Sequence, residues 1–65
     1  MVTVNGQMID YADGLSLASY LVREGYILTG IAVEVNGEIV LKAKYDEKIL
    51  SDGDVIEIVQ FVGGG

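Results

Sequence analysis

The chain contains no histidine, no cysteine, no proline and no tryptophan, and only 4 of its 65 residues are basic. Each shortage removes a class of function. Without cysteine there is neither a disulfide framework nor a thiol nucleophile. With histidine missing too, a zinc site of the usual ligands and imidazole catalysis are excluded. No apolar run approaches the roughly 18 residues of a membrane-spanning helix. The first residues, Met1 to Gly6, lack the charged start and long apolar stretch of a signal peptide. The few basic residues face 10 acidic ones, for a formal net charge of −6. Such a charge repels phosphate backbones and anionic lipid, so nucleic acid and membrane surfaces are poor partners and a basic protein surface is a better one. The cytoplasm is the expected compartment, and the lack of cysteine fits it.

What remains is a small globular domain. Apolar residues make up 51% of the chain, enough for a core and too many for a disordered segment. A domain of this length buries only about 60% of its unfolded surface, which leaves no volume for both a core and a deep catalytic pocket. The chain is therefore expected not to be an enzyme and to bind no cofactor of its own. Chemistry is expected to be done to it by another protein.

Two Asn-Gly pairs punctuate the sequence. Asn5-Gly6 lies between Val2-Thr3-Val4 and Gln7-Met8-Ile9-Asp10-Tyr11, and Asn36-Gly37 between Ile31–Val35 and Glu38–Leu41. Asn-Gly suits two-residue type I′ turns, in which both positions need positive φ. The first turn sets Val4 opposite Gln7, Thr3 opposite Met8 and Val2 opposite Ile9. Val2, Val4 and Ile9 then share one face, and Thr3 and Met8 the other. Between the hairpins, Leu17, Ala18, Leu21 and Val22 recur at helical spacing, with Ser16, Ser19, Tyr20, Arg23 and Glu24 opposite and Tyr20 at the rim. Ser16 is placed to cap this short helix and Gly25 to end it. A helix of two to three turns persists only if its apolar stripe docks, and the sheet face bearing Val2, Val4 and Ile9 is the natural surface.

Residues 42–50 read as a charged, irregular crossover anchored by Ile49 and Leu50, and Ser51-Asp52-Gly53-Asp54 as a turn. Asp52 and Asp54 lack the spaced ligands and final Glu of a calcium loop. The last strand runs from Val55 to about Val62, with Ile56 and Ile58 on one face and Val55, Glu57, Val59 and Phe61 on the other. Hairpin, helix, hairpin, crossover, strand describe an α+β sheet of four to five strands with one helix packed on one face. Fold knowledge of this order puts the fifth strand at the centre beside the first, the β-grasp arrangement.

Gly63-Gly64-Gly65 follow that strand directly. Three glycines pack nothing and lose the most freedom on ordering, so residues 1–62 read as the domain and 63–65 as a flexible tail. A backbone bare of side chains can thread a narrow channel and present a carboxylate to another protein's active site. On the glycines alone, a frayed terminus is an equal alternative.

The length, the segment Val35-Asn36-Gly37-Glu38-Ile39-Val40, the Asp52-Gly53-Asp54 turn before Val55–Val59, and the Phe61–Gly65 ending together resemble the family of small ubiquitin-like β-grasp sulfur carriers of thiamin biosynthesis. One departure is Leu41-Lys42, where members often carry proline and then a basic residue. The resemblance implies a carrier that is a substrate at its own C-terminus. An ATP-dependent adenylating enzyme would activate the Gly65 carboxylate, with Gly63 and Gly64 threading its channel. A sulfur donor would displace AMP to leave a thiocarboxylate, and thiazole synthase would take the sulfur. A molybdopterin or other thiocarboxylate-pathway carrier, and a β-grasp binding module with an inert tail, are the alternatives.

The expected docking surface is the sheet face away from the helix, carrying Thr3, Met8, Ala32, Glu34, Val59 and Phe61. Val59, Phe61 and Met8 are the candidate partner-binding residues, because exposed apolar groups in a patch mark interaction sites. Packing of Val59 and Phe61 under the crossover is the alternative. Glu34 and Glu57 suit encounter with a basic partner, although each alone reads as an ordinary solvated strand position. Lys42, Lys44 and Lys48 read as a solvated edge that discourages sheet-to-sheet pairing.

Overall fold

Both Asn-Gly pairs turn the chain as their residue types demand. In the computed structural model, which describes residues 1–61, Asn5 and Gly6 have φ of 49° and 84°, and Asn36 and Gly37 of 54° and 86°. The first turn joins β1 (Val2–Val4) to β2 (Gln7–Ile9) and the second joins β3 (Ile31–Val35) to β4 (Glu38–Val40). The register of the first hairpin is the expected one, Val2 with Ile9, Thr3 with Met8 and Val4 with Gln7. The final strand, β5 (Val55–Gln60), lies at the centre of a five-stranded sheet of order β2-β1-β5-β3-β4. It runs parallel to β1 and antiparallel to β3. This is the β-grasp fold.

Among the described residues a single α-helix, α1 (Leu17–Arg23), covers one face. The Ser16 hydroxyl accepts from the Ser19 amide at 3.0 Å and so satisfies one of the free donors of the first turn. At the other end Gly25, with φ of 85°, lets its own amide reach the Val22 carbonyl and the Tyr26 amide reach Leu21. That pairing closes the helix with a left-handed glycine. Leu17 and Leu21 are wholly buried, and each such leucine contributes about 1.5–3 kcal/mol. They join Val2, Val4, Val33, Val35, Ile56 and Ile58 in one core.

The edge of the helical stripe differs from the sequence expectation. Tyr20 is 3% exposed and belongs to the core, whereas Val22 is 63% exposed. The buried arc is displaced by one position, so the large ring rather than the small branched side chain is enclosed. Burial pushes the Tyr20 phenol up to about 12. Its ring lies 6.3 Å from that of Tyr11, which carries the Arg23 guanidinium 4.4 Å above it and donates to Glu24 at 2.6 Å. The crossover is also anchored differently. Leu50 is fully buried but Ile49 is exposed, and the second anchor is Tyr45. Adjacent residues of an extended segment point to opposite sides, so Ile49 and Leu50 cannot both enter the core. The segment is stitched to the helix start by Leu17 N–H to the Lys48 carbonyl (2.7 Å) and Ala18 N–H to that of Tyr45 (2.9 Å).

The two turn asparagines have a second task that their turn role does not reveal. The Asn5 side chain accepts from the Ile58 amide at 2.7 Å and donates to the Ile58 carbonyl at 3.2 Å. It thus continues the β1–β5 ladder past the end of β1. On the opposite side of β5, the Asn36 side chain accepts from the Val55 amide at 2.9 Å and donates to Asp54 at 3.0 Å. The Asp54 carboxylate in turn accepts from the Ser51 amide at 3.0 Å. Burial acts to raise the Asp54 carboxyl, but these hydrogen bonds win and hold it below the usual carboxylate range. The 51–54 segment is therefore a turn closed on itself and locked to the β3–β4 hairpin.

Candidate partner-docking face

The alternation of β5 divides its side chains cleanly. Ile56 and Ile58 point to the helix side and are buried; Val55, Glu57, Val59 and Phe61 point away and are exposed. Among the described residues no element covers them, so Val59 and Phe61 do not pack under the crossover. They are 59% and 62% exposed, and Met8 is 70% exposed. The Phe61 amide donates to the Gly30 carbonyl at 3.0 Å, which holds the end of the strand against the start of β3.

Register defines the layout of this open face. Met8, Thr3 and Val55 form one row across β2, β1 and β5. Glu57, Glu34 and Ile39 form the next across β5, β3 and β4, and Val59 with Ala32 the third. The three candidate contact residues are thus not one cluster. Val59 and Phe61 are neighbours on one strand, whereas Met8 belongs with Val55, some 13 Å away along the strand direction. Ile39, exposed on β4, enlarges the apolar area beyond what sequence reading assigned. For Ile39 the signal was available: pairing through the Asn36-Gly37 turn sets it opposite Glu34, on the outward face. Gly63, Gly64 and Gly65 lie outside the described residues, as does the proposed boundary at residue 62.

The other side of the molecule offers little chemistry. A shallow groove of about 450 Å3 between α1 and the crossover is lined by Ala18, Ser19, Val22, Arg23, Leu28 and Asp46. Among the described residues no cluster of acidic side chains is arranged to hold a metal ion, and no helix is long and apolar enough to cross a membrane.

The described residues form a ubiquitin-like β-grasp domain with exposed apolar side chains on the outer face of its last strand. The sequence model of the ThiS family matches residues 2–65. The chain belongs to that family, and two of its relatives are named sulfur carrier protein. It is 37% identical over 65 residues to the sulfur carrier protein ThiS of Thermus thermophilus, with the whole of both chains covered. To ThiS of Bacillus subtilis it is 51% identical over 49 residues, 75% of this chain and 68% of that one. A thiazole synthase of Paramagnetospirillum magneticum is 36% identical over 64 residues; 98% of this chain aligns there, but it spans only 20% of the longer protein. The crystal structure of a thiamine biosynthesis protein (ThiS) from Geobacter metallireducens superposes with a TM-score of 0.76 at 33% identity, covering 98% of this chain and 97% of the other.

Proposed function

We propose that this chain carries sulfur for thiamin thiazole formation as a thiocarboxylate at Gly65. An adenylating enzyme transfers AMP from ATP to the Gly65 carboxylate and releases pyrophosphate. A sulfur nucleophile from a donor then attacks the acyl carbon, and AMP leaves with the bonding electron pair. The activation is required because a carboxylate has only oxide to expel, whereas the mixed anhydride expels a stable phosphate monoester. Glycine at positions 63–65 leaves the threaded backbone and the tetrahedral intermediate uncrowded. No step asks for a catalytic side chain from the carrier, in keeping with a sequence that has no histidine and no cysteine.

The observation that supports this reading most is the family match, which runs through the terminal glycines to residue 65. Thiazole synthase is the proposed acceptor, because proteins of that name contain a segment similar to nearly the whole of this chain. The test is intact mass after incubation with an adenylating enzyme, ATP and a sulfur donor. The expected result is a gain equal to replacing one oxygen by sulfur, lost on deletion of Gly65 and restored by alkaline hydrolysis to the starting mass. Phe61→Asp is expected to weaken enzyme binding while the domain stays folded, since that ring is exposed. No mass change with adenylating enzymes of either the thiamin or the molybdopterin pathway would leave a binding module with an inert tail.

A further inference from the structure

The middle of the open face holds an arrangement that stability alone disfavours. Glu57 on β5 is the direct register partner of Glu34 on β3. Cross-strand partners have Cβ atoms about 5 Å apart, and like charges so placed repel. Neither carboxylate takes part in an ion pair among the described residues. The chain's own cations cannot relieve the repulsion from within the sheet, because Arg23 lies on α1 and Lys42, Lys44 and Lys48 lie on the crossover. The dyad has exposed apolar neighbours in Val55 and Val59, before and after Glu57 on its strand, and in Ile39 opposite Glu34, while the polar Asn5 lies beside it on the β1 side.

We propose that the Glu34–Glu57 dyad is the charged centre of the docking face and receives an arginine guanidinium of the adenylating enzyme. This rests on the carrier function proposed above. A planar guanidinium offers paired N–H donors to two adjacent carboxylates at once, and the pairing strengthens when a docked partner covers the flanking Val55, Val59 and Ile39. A second copy of this chain does not fit the site, since two such faces would bring four carboxylates together on chains that each carry a net charge of −6. The enzyme is the occupant because of reach. Phe61 stands four positions before Gly65 in the sequence, and four residues extend at most about 14 Å. An enzyme that grips the Gly65 carboxylate therefore covers the Phe61 end of β5, and Glu57 lies about 13 Å further along the same strand.

The experiment uses Glu34→Gln, Glu57→Gln and the double variant in the full chain, with affinity for the adenylating enzyme measured by calorimetry at low and high salt. Each single change is expected to weaken binding about tenfold, and the double change by less than the product because both carboxylates serve one cation. Thermal midpoints should stay the same or rise, since repulsion is removed, which separates lost contact from lost fold. The wild-type advantage should shrink at high salt. Unchanged affinity of the double variant, alongside weakened Phe61→Asp, would overturn the dyad and leave the carrier function standing. A wild-type chain that binds tightly to itself through this face, or that is never converted to a thiocarboxylate, would overturn both.

Discussion

Asn5 is the residue whose removal separates turn chemistry from sheet chemistry. It supports a left-handed turn position at φ 49° and also supplies a side chain that meets both the Ile58 amide and carbonyl. Asn5→Gly keeps the conformational freedom and deletes both hydrogen bonds. Leaving a partly buried amide without its acceptor costs about 1–3 kcal/mol, and the longer bond to the carbonyl adds about 0.5. The expected loss is therefore about 2 kcal/mol, about half of what a core of this size supplies. For a domain of this length that corresponds to a fall of about 8–16 °C in Tm. Asn5→Ala forfeits the same bonds and adds about 1 kcal/mol for a Cβ-bearing residue held in the left-handed region. Asn5→Asp falls between wild type and Asn5→Gly, because its oxygen still accepts from Ile58 while nothing donates to the carbonyl. Urea and thermal unfolding followed by circular dichroism measure all three. If Asn5→Gly lies within about 0.5 kcal/mol of wild type, the clamp on β5 contributes nothing and Asn5 is only a turn residue.

Asp54→Asn should destabilise at neutral pH by about 1–2 kcal/mol, through loss of charge-assisted hydrogen bonds from Ser51 and Asn36. The folded carboxyl sits below its ordinary value, so as pH falls the unfolded chain takes up the proton first. The wild-type advantage is complete above the unfolded value and disappears as pH drops through the folded one. Urea midpoints measured across acidic pH follow it. Tyr20 behaves oppositely: its phenol stays neutral in the fold up to about 12. Stability is therefore lost as pH rises from about 10, the unfolded value, and Tyr20→Phe should flatten that alkaline decline.

Much of this architecture was legible because Asn-Gly pairs fix register. Once Asn5-Gly6 and Asn36-Gly37 are placed, the buried set Val2, Val4, Val33 and Val35 follows from alternation. The outward exposure of Val59 and Phe61 follows from the same alternation in β5. The helix was legible in position and caps but not in its margins. Tyr20 and Val22 flank the stripe on opposite sides, and only the surface under a helix decides which is enclosed. The crossover carries no period, so Tyr45 gave no signal of its burial, and Ile49 next to Leu50 could be sorted only by the path of the backbone. The asparagine clamps were illegible for another reason: they join Asn5 to Ile58 and Asn36 to Val55, and sequence adjacency says nothing about such distant pairs. Within the candidate site, the two acidic residues of the open face were visible singly. Their direct opposition depends on the β3–β5 register, which no turn between those strands specifies.

The central position of β5 decides how the molecule bears force. Odd-numbered residues of the strand bond toward β3, while Ile56 and Ile58 bond toward β1 and the Asn5 carboxamide. Traction applied at Phe61 along the strand loads both rows of bonds side by side in shear, so none can open before the others. In the carrier role proposed above, a partner drawing on the last residues would pull on this central strand, and the load would spread across the sheet before it reached the helix.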